Sequence, residues 1–336
     1  MSQENEDRDL RRMVDQLFTA GRPAADCIPA LDVKLWAEVE DLGLSHLTAS
    51  KSAGGGGASW SQLATVIASS ARNAAYVPIV EHDVLAGWLL RAVQDDQAPS
   101  ALDTFGFVSH DSAVVPWHNE AQTTVLLRRV DEEWHYARIR PGDVPAAAVA
   151  GVFPRHRLMN LSSAQWSQVD ACTGRELIRR GALARAVQMA ASMEAVVQLT
   201  AKYVGVRKQF GRALVRFQAV QKLIADMAAE SALASAAVRR AVDAFEDDGG
   251  ASLEIAIAKS CTGHATEIVA RAAHQAHGAI GTTKEYQLHR YVGALYAWRT
   301  EFGGAATWDH WLTHHVLTAQ MPTDALWSAV TGADLR

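Results

Sequence analysis

The chain has 336 residues, 49% of them hydrophobic and 21% charged, with a formal net charge of -5. That is an ordinary globular mix, ample to bury a core and long enough for one large domain or a few small ones. The slightly acidic balance offers no basic excess, so neither nucleic acid nor an anionic membrane surface is expected as a partner.

Three cysteines, Cys27, Cys172 and Cys261, are widely spaced and form no C-x-x-C pair. Neither a disulfide framework nor a zinc cluster is expected, and a reducing cytoplasm is the natural setting. The first residues, Ser2 to Asp9, are charged and lack an apolar run, so no signal peptide is expected. Arg180, Arg185 and Glu194 interrupt the Ala/Val/Met-rich stretches. A membrane span needs roughly 20 apolar residues, and none is expected.

Residues 8–101 read as helices with short connectors. Leu10, Met13, Val14, Leu17 and Phe18 recur at helical spacing until Gly21-Arg22-Pro23. A second run begins at Val33, Leu35, Trp36 and Val39 and ends near Gly43. Gly54 to Gly57 reads as a flexible loop, and Ser59 as the N-cap of the run Leu63–Ala71. Between 102 and 165 the character changes. Short β-rich runs (Thr104–Val108, Ala113–Pro116, Thr123–Leu127, Trp134–Ile139) are separated by turn residues and predict a small β region of roughly four to six strands. From Trp166 onward helix returns. One Ala-rich helix is predicted over 173–203 and a second over 213–246, ending at Gly249-Gly250. A third is predicted over Ser252–His274 with Ser252 as a possible N-cap, and one or two more over 283–320. Long helices with short loops fit an up-down bundle. The expected fold is mostly α: an N-terminal helical domain (1–101), a shortened β domain (102–165) and a C-terminal four-helix bundle (166–336).

Two segments carry chemistry. In the first, Arg207-Lys208-Gln209-Phe210-Gly211-Arg212 is followed by Phe217-Gln218-Ala219-Val220-Gln221. Arg207 can pair bidentately with a phosphate, Phe210 offers a ring surface, and Gln218 can donate and accept at one ligand. The plain alternative is a helix N-terminus with incidental polar residues. The second runs from Gln275 through His277, Gly278, Ala279 and Gly281 to Glu285-Tyr286-Gln287-Leu288-His289-Arg290. Gly278 and Gly281 permit a tight turn and close backbone approach to a ligand.

Both segments resemble flavin-dependent acyl-CoA dehydrogenases. The first is similar to their R-x-Q-F-G and F-Q-A-V-Q signature. The second is similar to their Q-x-x-G-G-x-G turn and E-Y-x-L-x-R motif, with Ala279 standing for the second glycine. The resemblance covers the C-terminal half and is weaker in the N-terminal half (Gly43-Leu44, Gly54–Gly57, Val77-Pro78). It implies that Arg207, Phe210, Gln218, Gln275, His277, Gly278 and Ala279 contact the adenosine diphosphate part of an FAD held mainly by a neighbouring subunit.

The rest of the family site is not found. The T-E-P-x-x-G-S-D and W-I-T-N-like segments that hold the flavin ring have no counterpart between residues 90 and 165. The family base is a glutamate, suited to proton abstraction because desolvation raises its pKa. Gap-free counting from Gln275 puts Phe302 at its position, with Glu301 one residue early. The alternative base position, on the helix before R-x-Q-F-G, falls on Gly181, and Glu176 is more than a turn away. Glu301 is then either a displaced base or a partly exposed glutamate pairing with Arg299 or Arg290.

The resemblance therefore implies the short subunit of an α2β2 heterotetramer, of the kind found in actinobacterial steroid and sterol side-chain degradation. A longer paralogue would supply the flavin-ring contacts and the base, a steroid acyl-CoA would be the substrate, and an electron-transferring flavoprotein the acceptor. Two alternatives remain: a self-sufficient homo-oligomeric dehydrogenase using Glu301, and a non-catalytic scaffold without FAD contacts. His310, His314 and His315 at helical spacing read as surface or interfacial histidines rather than metal ligands.

Overall fold

A computed structural model describes residues 3–95, 101–248 and 251–318. The expected helix end at Gly249-Gly250 and the last residues of the run 283–320 lie outside them.

The N-terminal helices form as α1 (Gln3–Ala20), α2 (Val33–Asp41) and α3 (Trp60–Arg72). Ser59 caps α3 as expected, in a capping box closed by Gln62. A π-helical stretch then runs from Val80 to Gly87 and continues as α4 (Trp88–Ala92). It carries Glu81, His82 and Asp83, all buried. Wide turns of this kind are rare and recur at functional sites.

Strands occupy Asp103 to Val169. One sheet holds β1 (Asp103–Phe107), β3 (Thr123–Val130), β4 (Glu133–Ile139) and β7 (Ser167–Val169), in the order β1-β3-β4-β7. β1 and β3 are parallel and the other pairs antiparallel. The other sheet holds β2 (Ser112–Pro116), β6 (Arg155–Met159) and β5 (Ala146–Ala148), all antiparallel. β5 and β7 are three-residue strands, too short to show as alternation in the sequence. Val115 to Trp117 does meet Val152 to Pro154: the Trp117 N–H donates to the Pro154 carbonyl at 3.0 Å.

The bundle comprises α5 (Ala171–Val206), α6 (Gln218–Asp248), α7 (Ser252–His277), α8 (Leu288–Arg299) and α9 (Ala305–Thr318). α5 begins where Asp170 accepts the backbone N–H groups of Cys172 and Thr173, both at 2.9 Å. It packs on α3, α6, α7 and α8, so every residue from Gly181 to Met193 is buried. That all-round burial explains why the stretch is alanine-rich rather than amphipathic. Burial of each larger residue, such as Leu183 or Met189, contributes roughly 1.5–3 kcal/mol. Three boundaries differ from the sequence expectation. α6 starts at Gln218, because a two-stranded hairpin and a 3-10 turn (Leu214–Arg216) take up residues 208–216. The cap position of α7 is Ala251, not Ser252; the Ser252 hydroxyl instead accepts from Arg179 at 2.9 Å. Strand β7 precedes α5 where helix was expected. Among the described residues no helix is long and apolar enough to cross a membrane.

Candidate functional site at the bundle end and in the central cleft

The two chemistry-bearing segments meet at one end of the bundle. α5 ends at Val206, where the Arg207 N–H donates to the Tyr203 carbonyl at 2.9 Å. β8 (Lys208–Gln209) and β9 (Arg212–Ala213) follow as a two-residue hairpin. Its corners, Phe210 and Gly211, have φ of +50° and +79°. Such corners match the twist of paired strands, but a phenylalanine there is held in a costly conformation. Phe210 is 89% exposed, with an edge contact to Phe217 at 6.2 Å. Gln221 braces the following turn through Val215, while Gln218 is exposed at the head of α6.

α7 ends beside Tyr203 of α5. Its last residue, His277, is buried and stacks on Tyr203 with ring centroids 4.5 Å apart. The Tyr203 hydroxyl donates to the His277 carbonyl, and the His277 Nδ1 donates to the Ala273 carbonyl at 2.8 Å. Burial, and more weakly His274, pulls the His277 pKa down against that carbonyl. Tyr203 therefore joins the two motifs, four residues before Arg207 on α5 and in contact with the end of α7. Gly278 then adopts φ +64° and ψ -145°, a combination that a side chain strongly disfavours. Gln275, Gly278 and Ala279 are exposed, as is Arg207. Among the described residues no carboxylate lies within ion-pair distance of Arg207. An exposed guanidinium without an ion-pair partner among the described residues, one helical turn past the Tyr203 that meets the end of α7, suits a diphosphate. The residues present thus fit the adenosine diphosphate end of FAD, with His277 packing behind the turn rather than exposed on it.

The second region is a cleft of about 960 Å³ between the strands, α5, α9 and the turn that joins α8 to α9. Phe105, Phe107, Trp134, Trp308 and Trp311 line it, with Arg129, Arg175 and Arg179 among its polar groups. The two positions where a family base could stand converge here. Phe302, at φ +55°, lays its ring directly over Gly181, where even a Cβ would come within 2.4 Å of the ring. The ring also stacks on Phe105 at 6.0 Å. A glycine and a phenylalanine thus fill the space where a carboxylate would act. Glu176 is bound by Arg179 and Arg180.

Glu301 does line the cleft, but it pairs with neither Arg299 nor Arg290. Arg299 pairs with Glu267 at 3.2 Å, and Arg290 donates to the Cys27 sulfur. The partner of Glu301 is Arg185, only 1% exposed, whose Nε donates to Glu301 Oε2 at 2.7 Å. The same guanidinium donates to Glu81 at 2.5 Å and to Gln188 at 2.7 Å. Burial alone would lower the Arg185 pKa, but Glu301 and Glu81 outweigh it and raise it. Lys259, also buried, donates to the backbone carbonyls of Trp298 (3.3 Å) and Glu301 (2.9 Å), fixing the turn. Burial pushes its pKa down to about 7, with Glu301 opposing and Arg185 adding to the shift. Sequence reading missed Arg185, Glu81, Lys259 and Tyr203. The one available cue for the first was a lone arginine in an otherwise apolar helix centre. Among the described residues no cluster of histidine, cysteine or carboxylate groups could hold a metal; His315 instead stacks on Trp311 at 4.9 Å.

Residues 175–307 match the acyl-CoA dehydrogenase C-terminal domain. The chain is 30% identical over 146 residues to acyl-CoA dehydrogenase IpdE2 of Mycobacterium tuberculosis, a stretch spanning 44% of each protein. The chain therefore matches less than half the length of that relative. Two solved structures share the whole fold. One is the ChsE4-ChsE5 complex of M. tuberculosis, with a TM-score of 0.80 and 21% identity over 96% of this chain and 99% of the other. The second is the Tcur3481-Tcur3483 steroid ACAD G363A variant, with a TM-score of 0.80 and 19% identity over 95% and 99%.

Proposed function

We propose that this chain, whose residues 175–307 match the acyl-CoA dehydrogenase C-terminal domain, is the short, half-site subunit of a heteromeric acyl-CoA dehydrogenase. A longer paralogue holds the flavin ring and the base. FAD, when bound, accepts the hydride lost from the β-carbon of an acyl-CoA thioester. The task of this chain is narrower. Arg207 and Gln218 hold the diphosphate side across an interface, and the Gly278-Ala279 turn admits it at close range. Tyr203 and His277 keep the two motifs in register.

The observation that carries this reading is the contrast between an open, uncompensated Arg207 and a cleft in which Phe302 covers Gly181. The likeness to a two-protein complex and to a steroid ACAD supports the heteromeric form and a steroid acyl-CoA as substrate class. An electron-transferring flavoprotein is the proposed acceptor, and the domain limits 1–101, 102–165 and 166–336 are the proposed units. The test is flavin content. The chain is purified alone and with a longer homologue from the same genome, and bound FAD is read from visible absorbance. The expected result is flavin only in the complex. Stoichiometric FAD with turnover in the isolated chain overturns the proposal.

One observation favours a self-sufficient enzyme: Glu301 lines the cleft, with its side chain 25% exposed. Its commitment to Arg185 counts against free proton transfer.

A further inference from the structure

The central cleft is large and its open edges are apolar. Its volume of about 960 Å³ lies at the upper end of the roughly 300–1,000 Å³ of ligand sites. Phe107 and Val114, on its strand side, are 41% and 37% exposed. Trp308 and Trp311 line it from α9. Open apolar surface rimmed by polar groups marks an interaction site.

The rim is cationic. Arg129, Arg175 and Arg179 line the cleft with the buried Arg185, whereas Glu301 is its one lining carboxylate among the described residues. Arg185 already holds that carboxylate at 2.7 Å. Arg129 pairs with Glu132, and Arg179 with Glu176. Arg175 is exposed and pairs with no carboxylate among the described residues. The cleft therefore suits an occupant with apolar anchors and an acidic group beside them.

Such an occupant is tethered next to it. The sequence continues for 18 residues past Thr318, the end of α9. From Ala319 to Leu335 the only charged residues are Asp324 and Asp334, and Met321, Leu326, Trp327 and Val330 supply apolar side chains. Reach is sufficient. Thr318 lies seven residues beyond Trp311 on α9, a distance of about 10 Å along a helix. The eight residues from Thr318 to Leu326 span up to roughly 26 Å when extended. A short tether also raises the effective concentration to the millimolar range, so weak docking suffices without a second molecule.

We propose that the segment 319–336 docks back into the central cleft of its own chain, with Leu326 and Trp327 among the aromatic residues and Asp324 on Arg175. Phe107 and Val114 are then covered, and the cleft is closed by its own chain. This docking is independent of the flavin half-site at the bundle end.

The test replaces Trp327 by the photo-cross-linker p-benzoylphenylalanine in the full-length chain. Isotope-labelled and unlabelled copies are mixed and irradiated, and the links are mapped by mass spectrometry, which separates links within one chain from links between copies. The expected result is within-chain links to Phe107, Val114, Trp134 or Trp311. Arg175→Glu is expected to cut their yield roughly threefold or more, the worth of a partly exposed ion pair. Adding Asp324→Arg is expected to restore it. Links between copies, links to other surfaces or no links at all overturn the proposal, as does a yield that Arg175→Glu leaves unchanged. If Arg175→Glu does not fold, the map obtained with Arg175 in place decides by itself.

Discussion

The bundle end and the central cleft use arginine in opposite ways. At the bundle end Arg207 is exposed, leads into the hairpin, and has no carboxylate within ion-pair distance among the described residues. In the cleft Arg185 is buried and saturated by Glu81, Glu301 and Gln188. A charge kept uncompensated at a surface is available to a ligand, whereas one saturated in the interior serves the fold. On the proposed reading, the bundle end is free to meet a diphosphate, whereas the cleft, though open to about 960 Å³, holds its arginine within the fold. The difference explains how a chain can keep a family signature while its own cleft lacks a base at the family position.

The largest effect expected from breaking this contrast is on stability. Arg185→Met leaves Glu81 buried and unpaired, and is expected to cost about 3–5 kcal/mol in denaturant unfolding. Gly181→Ala drives a Cβ into the Phe302 ring and is expected to cost roughly 1–3 kcal/mol, read as a lower melting temperature. Arg207→Ala should do the reverse. As an exposed position it should change stability by no more than about 0.5 kcal/mol. It should weaken FAD binding by the reconstituted complex roughly tenfold or more, the worth of a charge-assisted hydrogen bond. If FAD affinity survives, the bundle end is vestigial and the scaffold reading gains.

A smaller effect concerns pH. Lys259 has its pKa lowered to about 7 in the folded chain, against an ordinary value of about 10.4 when unfolded. Between these values the unfolded chain binds the extra proton, so stability rises with pH from about 7 to about 10. Below pH 7 both states are protonated and the desolvation cost is carried in full. Lys259→Met should remove that slope, at most about 1.4 kcal/mol per pH unit. Parallel stability curves for wild type and variant would contradict it.

Much of the fold was legible because its signals are local. The Ser59 cap, the broken helix at Gly21 and the R-x-Q-F-G and E-Y-x-L-x-R motifs are all read within a few residues. The cleft was not legible, because its contacts join distant positions. Arg185 meets Glu81 and Glu301, each more than 100 residues away. Pairing of Glu301 with a neighbouring arginine was the natural expectation, and tertiary packing overrode it. The hairpin at 208–213 fell between the predicted helices 173–203 and 213–246 and was not read as strand, since two-residue strands leave no alternation to detect. Ser252 stands at the first position inside α7 rather than at its cap, and its hydroxyl accepts from Arg179. The contact of Phe302 with Gly181 was present in the sequence only as two separate gaps in the family pattern. The structure brings those gaps together.

The most direct measurement is turnover of the co-purified complex carrying Glu301→Gln in this chain, a change that keeps a hydrogen-bond acceptor for Arg185. If the chemistry resides in the partner, kcat should stay within about twofold of the unaltered complex. A fall of roughly a hundredfold or more, the contribution expected of a general base, would place the base in this chain and contradict the account.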